Sequence, residues 1–180
     1  TDAYKPVWTK GKIGGAYQFD GVNDYIAIKN SASLNFTNQI SVTMWINASG
    51  DNCGLIGDFG SGVKKGYDLL LRADRGFYWQ AGDGISWPGA FNIISDAGLV
   101  NNDKWYFVAV TNNGINASIY VDGVLKNSGS GGTISPYGGT VYIGAHNDGG
   151  TGMTGFCNGK IDEVKVYNNS LSNQEIYQIY

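Results

Sequence analysis

The 180-residue chain has few charged side chains and no long apolar run. Charged residues make up 15% of it, and the net charge is −3. Because no basic cluster is present, the sequence lacks the positive surface with which proteins bind the phosphate backbone, and we expect no nucleic-acid partner. No apolar run approaches the length needed to span a bilayer, so we also expect no membrane insertion.

Groups that commonly carry out catalysis are scarce as well. The chain has one histidine, His146, and two glutamates, Glu163 and Glu175. A Ser-His-Asp triad would have to use His146, and no G-x-S-x-G elbow accompanies it. Most glycosidases need two carboxylates that flank the bond to be cut, whereas Glu163 lies beside Lys165 on a solvent face and Glu175 caps a predicted helix. We therefore expect that the protein is not an enzyme.

Cysteine is limited to Cys53 and Cys157, which lie far apart in the chain. They are either two separate buried thiols or the partners of one disulfide, and their spacing alone leaves both alternatives open. A disulfide would close a long loop and would stabilise the fold by roughly 4–5 kcal/mol in the chain-entropy model.

Glycine and aromatic residues are abundant, and short alternating segments follow one another along the chain. Glycine accounts for 28 residues and aromatic residues for 13%. Residues 40–47 alternate apolar and polar side chains, residues 104–111 are apolar on both faces, and Asp122-Gly123 suits a type I′ hairpin turn. About a dozen such strands predict an all-β fold, an antiparallel two-sheet sandwich of the jelly-roll type that forms a single domain over residues 1–180.

One short helix is predicted at the C-terminus. Ser172 and Glu175 have the spacing of a capping box, with Ser172 as the N-cap. Leu171 and Ile176 occupy the two positions of a hydrophobic staple. The helix is expected to close the sandwich and to have no direct functional role.

Two segments place oxygen ligands where a cation could bind. In residues 160–167, strict alternation puts Asp162 on the same face as Val164 and Val166, and an inward carboxylate must be paired, hydrogen-bonded or bound to a metal. In the predicted turn at residues 19–26, Asp20, Asn23 and the neighbouring Asp24 form an all-oxygen cluster of the kind that calcium prefers. The alternative is a hairpin turn in which these side chains cap backbone groups.

Five segments, in this order, resemble laminin-G-like jelly-roll domains of the concanavalin A-like lectin/glucanase superfamily: residues 17–26, 40–46, 104–110, 119–123 and 159–168. The resemblance covers nearly the whole chain. It implies a concanavalin A-like sandwich with one structural calcium ion, carried over by position to Asp20, Asn23 and Asp162. The E-x-D-x-E strand motif of the related glucanases is absent from this chain.

Sugar binding requires flat aromatic faces and polar groups that take hydroxyls. Residues 78–89 run from a predicted strand into a glycine-rich loop, and they contain Trp79, Asp83 and Trp87. Trp79 could equally pack in the core with Phe77. Further candidate sugar-binding residues lie at the ends or on the faces of predicted strands, and each could equally be a solvated or a structural residue. They are Tyr67, Arg72, Tyr78, His146 and Asp148.

These features together predict a non-catalytic carbohydrate-binding, lectin-like module of a larger extracellular protein. The expected partner is an oligosaccharide or polysaccharide, and the domain is expected to be a monomer within a multidomain chain. Three alternatives stay open: an adhesion or protein-binding domain, a structural spacer of a cell-surface protein, and a glycan-cleaving enzyme.

Overall fold

The computed structural model describes residues 4–50, 52–58, 64–86, 88–147 and 152–180. In chain order its strands are β1 (Val7–Lys10), β2 (Gly15–Asp20), β3 (Ile26–Ile28), β4 (Ile40–Ala48), β5 (Cys53–Gly57), β6 (Tyr67–Leu71), β7 (Phe77–Ala81), β8 (Phe91–Ile94), β9 (Tyr106–Asn112), β10 (Asn116–Val121), β11 (Val124–Ser130), β12 (Val141–Ile143), β13 (His146–Asn147), β14 (Met153–Thr154) and β15 (Asn158–Tyr167). A short 3₁₀ turn (Ala32–Leu34) follows β3, and helix α1 (Asn173–Ile179) follows β15.

The strands form two main antiparallel sheets. The seven-stranded sheet has the order β1-β2-β15-β4-β9-β10-β11, and the six-stranded sheet has the order β3-β12-β5-β6-β7-β8. A small two-stranded sheet of β13 and β14 lies beside β5. The prediction of an all-β, two-sheet sandwich of the jelly-roll type with one short C-terminal helix is confirmed.

The main core lies between the two sheets, and strand alternation decides which residues enter it. Along β4, Ile40, Val42, Met44 and Ile46 are each at most 1% exposed and belong to this core. They share one face because successive side chains on a strand point to opposite sides. Residues of β5, β6, β7 and β12 meet them from the six-stranded sheet.

A second apolar cluster covers part of the other face of the seven-stranded sheet. Trp45, Phe107 and Tyr120 form it together with Ile176 of α1, which is fully buried. Leu171 packs against the same cluster, as the predicted staple requires. The helix begins with a complete capping box, in which Ser172 and Glu175 satisfy each other's backbone N–H groups.

The predicted hairpin turn at Asp122-Gly123 is present, and so is a second hairpin, between β6 and β7. The turn between β10 and β11 has left-handed backbone at Asp122 (φ 51°) and Gly123 (φ 73°), as a type I′ turn requires. Strands β6 and β7 pair directly through the turn that follows Leu71. Among the described residues, no helix is long and apolar enough to cross a bilayer.

A disulfide joins Cys53 to Cys157, whose Cα atoms are 4.6 Å apart. Cys53 begins β5 of the six-stranded sheet, and Cys157 directly precedes β15 of the seven-stranded sheet. The bond therefore ties the two layers of the sandwich to each other at one end of these strands.

The prediction that Asp162 shares a face with Val164 and Val166 is wrong. A β-bulge interrupts β15 between Asp162 and Lys165, and Glu163 adopts left-handed backbone with φ 50°. The extra residue shifts the alternation. Asp162 consequently lies opposite Trp45 on the outer side of the sheet, while Val164 and Val166 pack against the main core.

Candidate functional site

Four directly paired residues form a straight row across the outer face of the six-stranded sheet. Gly57 of β5 lies opposite Asp68 of β6, Asp68 lies opposite Gln80 of β7, and Gln80 lies opposite Asn92 of β8. Adjacent strands are about 4.8 Å apart, so the row extends over roughly 14 Å. We call these four residues the polar row.

The centre of the polar row is a hydrogen-bonded carboxylate. Gln80 donates from Nε2 to Oδ2 of Asp68 (3.4 Å), and Nδ1 of His146 lies 3.0 Å from the same oxygen. Asp68 is only 2% exposed. Burial raises the pKa of Asp68, and the hydrogen bond and charge of His146 oppose that rise. The predicted candidate His146 is thus placed on this face.

A second row runs beside the polar row on the same face. Leu70 of β6 lies opposite Tyr78 of β7, and Tyr78 lies opposite Ile94 of β8. Tyr78 is half-buried, and its hydroxyl accepts a hydrogen bond from Nδ2 of Asn92 (2.9 Å). We call the two rows together the sheet face. It combines amide and carboxylate groups with one aromatic ring.

The β13–β14 hairpin reaches the sheet face because β5 has a glycine, Gly54, at the point where the hairpin packs on this strand. A Cβ atom at Gly54 would lie 2.4 Å from the carbonyl carbon of Ala145. The absence of a side chain at Gly54 lets the backbone of residues 145 and 146 pack on β5, and this contact positions His146 above Asp68.

Arg72 and Asp83 lie at opposite ends of the β6–β7 hairpin. Arg72 follows β6, forms an ion pair with Asp74 and donates to the carbonyl of Ser95 (3.3 Å). Asp83 follows β7, and its Oδ1 accepts backbone hydrogen bonds from Ile85 and Ser86, both at 2.7 Å, which lower its pKa. The structure does not bring these two residues together at one site.

Trp79 is not an exposed platform, and that prediction is wrong. Its side chain is fully buried, packs on Tyr67 and Phe91, and donates from Nε1 to the carbonyl of Thr111 (3.0 Å). The phase of β7 turns it inward with Phe77, the alternative that alternation had left open. Tyr67 is buried for the same reason. The remaining two predicted sugar-binding residues, Trp87 and Asp148, lie outside the described residues.

Asp20 and Asp24 organise the turn after β2. Oδ1 of Asp20 accepts backbone hydrogen bonds from Val22 (2.8 Å), Asn23 (3.1 Å) and Asp24 (3.3 Å), and these bonds lower the pKa of Asp20. Oδ2 of Asp24 accepts from the backbone of Asp20 (3.0 Å). Burial, and secondarily the charge of Asp20, raise the pKa of Asp24. These side chains cap the turn as the alternative interpretation supposed.

Asp162 lies too far from this turn to share a metal ion with it. Asn158 is the residue of β15 opposite Asp20, and Asp162 is four residues further along the strand, a distance of about 13 Å. Its Oδ2 instead accepts a hydrogen bond from the backbone of Ile13 (2.9 Å). The three residues Asp20, Asn23 and Asp162 do not fit one calcium ion. In the described part of the chain, no group of three or more His, Cys, Asp or Glu residues could hold a metal.

Sequence reasoning missed Asp68, Gln80 and Asn92 as site residues. A signal was present, because each lies between two residues that alternation assigns to the core: Asp68 between Tyr67 and Leu69 is one example. The alternation predicts that such side chains face outward. It does not predict the register between strands, and only the register aligns them.

Solved structures with the same fold include several binding domains. Domain 4 of AbnA, a GH43 extracellular arabinanase from Geobacillus stearothermophilus in complex with arabinotriose, is 17% identical with a TM-score of 0.74, over 98% of this chain and 85% of that chain. The CBM40 of the Ruminococcus gnavus IT-sialidase, bound to α2,3-sialyllactose, is 14% identical with a TM-score of 0.66. The match covers 86% of this chain and 95% of that chain. The binding domain of Paraclostridial Mosquitocidal Protein 1 is 15% identical with a TM-score of 0.72, over 98% of this chain and 45% of that chain.

This chain thus spans less than half the length of the mosquitocidal binding domain that it resembles. At these identities the likeness establishes the fold. No curated protein matches the chain in sequence. A family model described as "Concanavalin A-like lectin/glucanases superfamily", for laminin-G-like domains, matches residues 20–177, which confirms the resemblance stated from the sequence. The chain belongs to this family.

Proposed function

We propose that this domain is a non-catalytic, lectin-like module that binds an oligosaccharide or polysaccharide on the sheet face. The observation that carries the proposal is the polar row, in which hydrogen-bonding side chains of three adjacent strands, β6, β7 and β8, are aligned by strand register. Binding domains of sugar-active proteins share the fold, which supports the same conclusion.

The groups of the sheet face match the chemistry of a sugar. Each sugar hydroxyl both donates and accepts hydrogen bonds, and the amides of Gln80 and Asn92 can do the same. The carboxylate of Asp68 is only 2% exposed, and it positions the Gln80 amide by accepting from its Nε2. The ring of Tyr78 offers an apolar surface to the C–H side of a sugar ring. Rigid strands hold these groups at fixed spacing, which limits the entropy lost on binding.

The arrangement of carboxylates favours binding over glycoside hydrolysis. A glycosidase needs two carboxyl groups about 5–9.5 Å apart across the bond. Among the described residues of the two rows, Asp68 is the one carboxylate. The neighbouring Asp58 is also buried, at 2% exposure, and accepts from the backbone of Tyr67. Glu163 is paired with Lys165 (2.7 Å), and the carboxylate of Glu175 accepts hydrogen bonds from the backbone N–H and the hydroxyl of Ser172 at the start of α1.

The setting that we propose is an extracellular, multidomain protein in which this domain acts as a monomer. The disulfide supports an oxidising compartment, since such bonds persist mainly in secreted and surface proteins. A structural calcium ion stays a prediction, now restricted to the turn of Asp20 and Asn23.

A panel of immobilised glycans tests the proposal. We expect the purified domain to bind a subset of the panel, and we expect Tyr78→Ala and Gln80→Ala to weaken that binding about tenfold or more, as loss of a central contact does. Tyr78→Ala should keep the wild-type melting temperature within a few degrees, because the half-buried Tyr78 lies on the outer face of the sheet. Gln80→Ala should lower it, because Gln80 is only 5% exposed and donates to the buried carboxylate of Asp68, so Tyr78→Ala is the cleaner binding test.

Tyr177→Ala is the matched control, since Tyr177 is 69% exposed on α1, against the opposite sheet. It should bind as the wild type does. A panel without any selective hit would contradict the proposal and favour a protein ligand. Hits that survive both sheet-face substitutions would show that the sugar binds elsewhere on the domain.

A further inference from the structure

The sandwich opens at the side where β1 and β2 form the edge of the seven-stranded sheet. Trp8 is paired with Tyr17, and Tyr17 is paired with Ile161, so all three point to the core side of their sheet. Ile161 belongs to the buried core, whereas Trp8 is 65% and Tyr17 40% exposed. Strand β3 at the edge of the other sheet is only three residues long and does not cover them.

The opening is a cavity of about 260 Å³, which we call the side cleft. Its lining includes Trp8, Tyr17, Ile26, Ile143, Ile161 and Glu163. A second cavity of about 460 Å³ continues from it past Tyr4 and Tyr25 and shares Tyr17 and Ile26 with it. Pockets for drug-sized ligands measure about 300–1,000 Å³, so the side cleft has room for one ring and the adjoining cavity for its neighbour.

The indole of Trp8 is held as a platform. A Cβ atom at Gly15 would lie 2.0 Å from Cζ2 of Trp8, so the indole packs directly on the backbone of Gly15. Tyr17 contacts it edge-on, with ring centroids 5.2 Å apart and planes at 74°. These two contacts fix the indole without burying it, and more than half of its surface stays open to a ligand.

Charge restricts what the side cleft can bind. Asp162 and Glu163 both line it, but the carboxylate of Asp162 is on the outer side of the sheet, where it accepts from Ile13. Glu163 is partly exposed, and its carboxylate also contacts Lys165. Carboxylates accept hydrogen bonds from hydroxyls, and they repel a ligand that carries its own carboxylate. Lys5 lies beyond them, in the lining of the adjoining cavity.

We propose that the side cleft is a second carbohydrate site, which binds a neutral sugar ring against Trp8 with its hydroxyls directed to Glu163. The proposal rests on the carbohydrate-binding function proposed above and adds a separate site to it. The ring stacks its C–H side on the open part of the indole, and the apolar floor of Ile26, Ile143 and Ile161 receives the remaining hydrocarbon surface.

The test is an NMR titration of the indole N–H signals with three soluble probes: lactose and arabinotriose, which are neutral, and sialyllactose, which is anionic. Trp8→Phe identifies the Trp8 signal by its loss and retains a flat ring. We expect a neutral probe at millimolar concentration to shift the Trp8 signal. We expect Trp8→Ala to weaken the affinity for that probe about tenfold or more, Trp8→Phe to weaken it less, and Tyr177→Ala to leave it unchanged.

Three results would overturn the proposal: no shift of the Trp8 signal with either neutral probe, wild-type affinity in Trp8→Ala, or an equal shift with sialyllactose. Tyr78→Ala separates this site from the sheet face. If glycan binding is lost in Tyr78→Ala while the Trp8 signal never moves, the side-cleft site is wrong and the proposed function stands. If Trp8 responds while Tyr78→Ala binds normally, the sheet face is the wrong location.

Discussion

Asp58 is a carboxylate that the fold buries at the end of β5. It is 2% exposed, and its Oδ1 accepts a hydrogen bond from the backbone of Tyr67 (2.9 Å). Burial raises its pKa to about 6, with a small addition from the charge of Asp68. Because the folded-state pKa exceeds that of the unfolded chain, folding favours the protonated form. The resulting stabilisation is present at low pH and is lost as the pH rises through about 6.

Asp58→Asn should therefore stabilise the domain at pH 8 and give no such gain at pH 4. The amide keeps an oxygen for the Tyr67 N–H but carries no charge, and we expect a gain in the free energy of unfolding of about 1–3 kcal/mol at pH 8. Urea denaturation at both pH values measures it. Asp96→Asn, an exposed position, is the control and should show no such difference. Equal effects of Asp58→Asn at the two pH values would contradict this assignment.

At the scale of elements, the hairpin turn between β1 and β2 depends on Asp162. Oδ2 of Asp162 accepts from Ile13, and Gly11 passes so close that a Cβ atom there would overlap the carboxylate. The bulge at Glu163 is what turns this carboxylate toward the hairpin. One irregular residue in β15 thus positions a turn almost 150 residues earlier in the sequence.

Asp162→Ala should cost about 1–3 kcal/mol, since it leaves the N–H of Ile13 without its acceptor. We expect the same loss in calcium and in EDTA, because Asp162 is remote from Asp20. Thermal unfolding in both buffers measures it. Asp20→Ala is the comparison: if calcium binds at the turn after β2, that variant alone loses a calcium-dependent rise in melting temperature. A loss in Asp162→Ala that appears only with calcium would restore the three-residue metal site.

The disulfide is the second device that joins distant elements. It closes a loop of about 100 residues, and the chain-entropy model assigns roughly 4–5 kcal/mol to such a bond. The double variant Cys53→Ser, Cys157→Ser should therefore unfold at clearly lower urea concentration than the wild type. The reduced wild type is the matched control and should behave as the double variant does. If the variant and the wild type share one midpoint, the bond does not contribute to stability.

For the whole molecule, the sequence predicted most of the fold. Alternation in residues 40–47, the Asp122-Gly123 turn and the Ser172–Glu175 box are local patterns, and local patterns suffice where one face is buried and the other is not. The errors have equally physical causes. Strict alternation does not predict the bulge at Glu163, and it is compatible with a Trp79 side chain on either face of β7.

The candidate site was less predictable than the fold. The outward direction of Gln80 and Asn92 follows from alternation, but their alignment follows from the register of three strands that pair only in the folded protein. The exposed indole of Trp8 has a similar origin, because it depends on how far the opposite sheet extends. Neither property is encoded in a short segment.

The topology also predicts how fast the domain folds. Strands β2 and β15, from the two ends of the described chain, are neighbours in the seven-stranded sheet. Bringing strands so distant in sequence together costs chain entropy before their contacts can form. Refolding should therefore take milliseconds to seconds. Stopped-flow tryptophan fluorescence measures it, with the disulfide intact. A dominant phase in microseconds would be incompatible with this view.

The Cys53–Cys157 bond has a mechanical consequence for a domain that holds a ligand under load. If force is applied to the two ends of the chain, the 104-residue separation between the cysteines cannot be pulled out, because tension passes through the sulfur atoms. About 35 nm of contour length is thereby withheld from extension. Every residue of the polar row lies between the two cysteines. Under load, the parts of the chain outside this segment can therefore unfold while the sheet face stays folded.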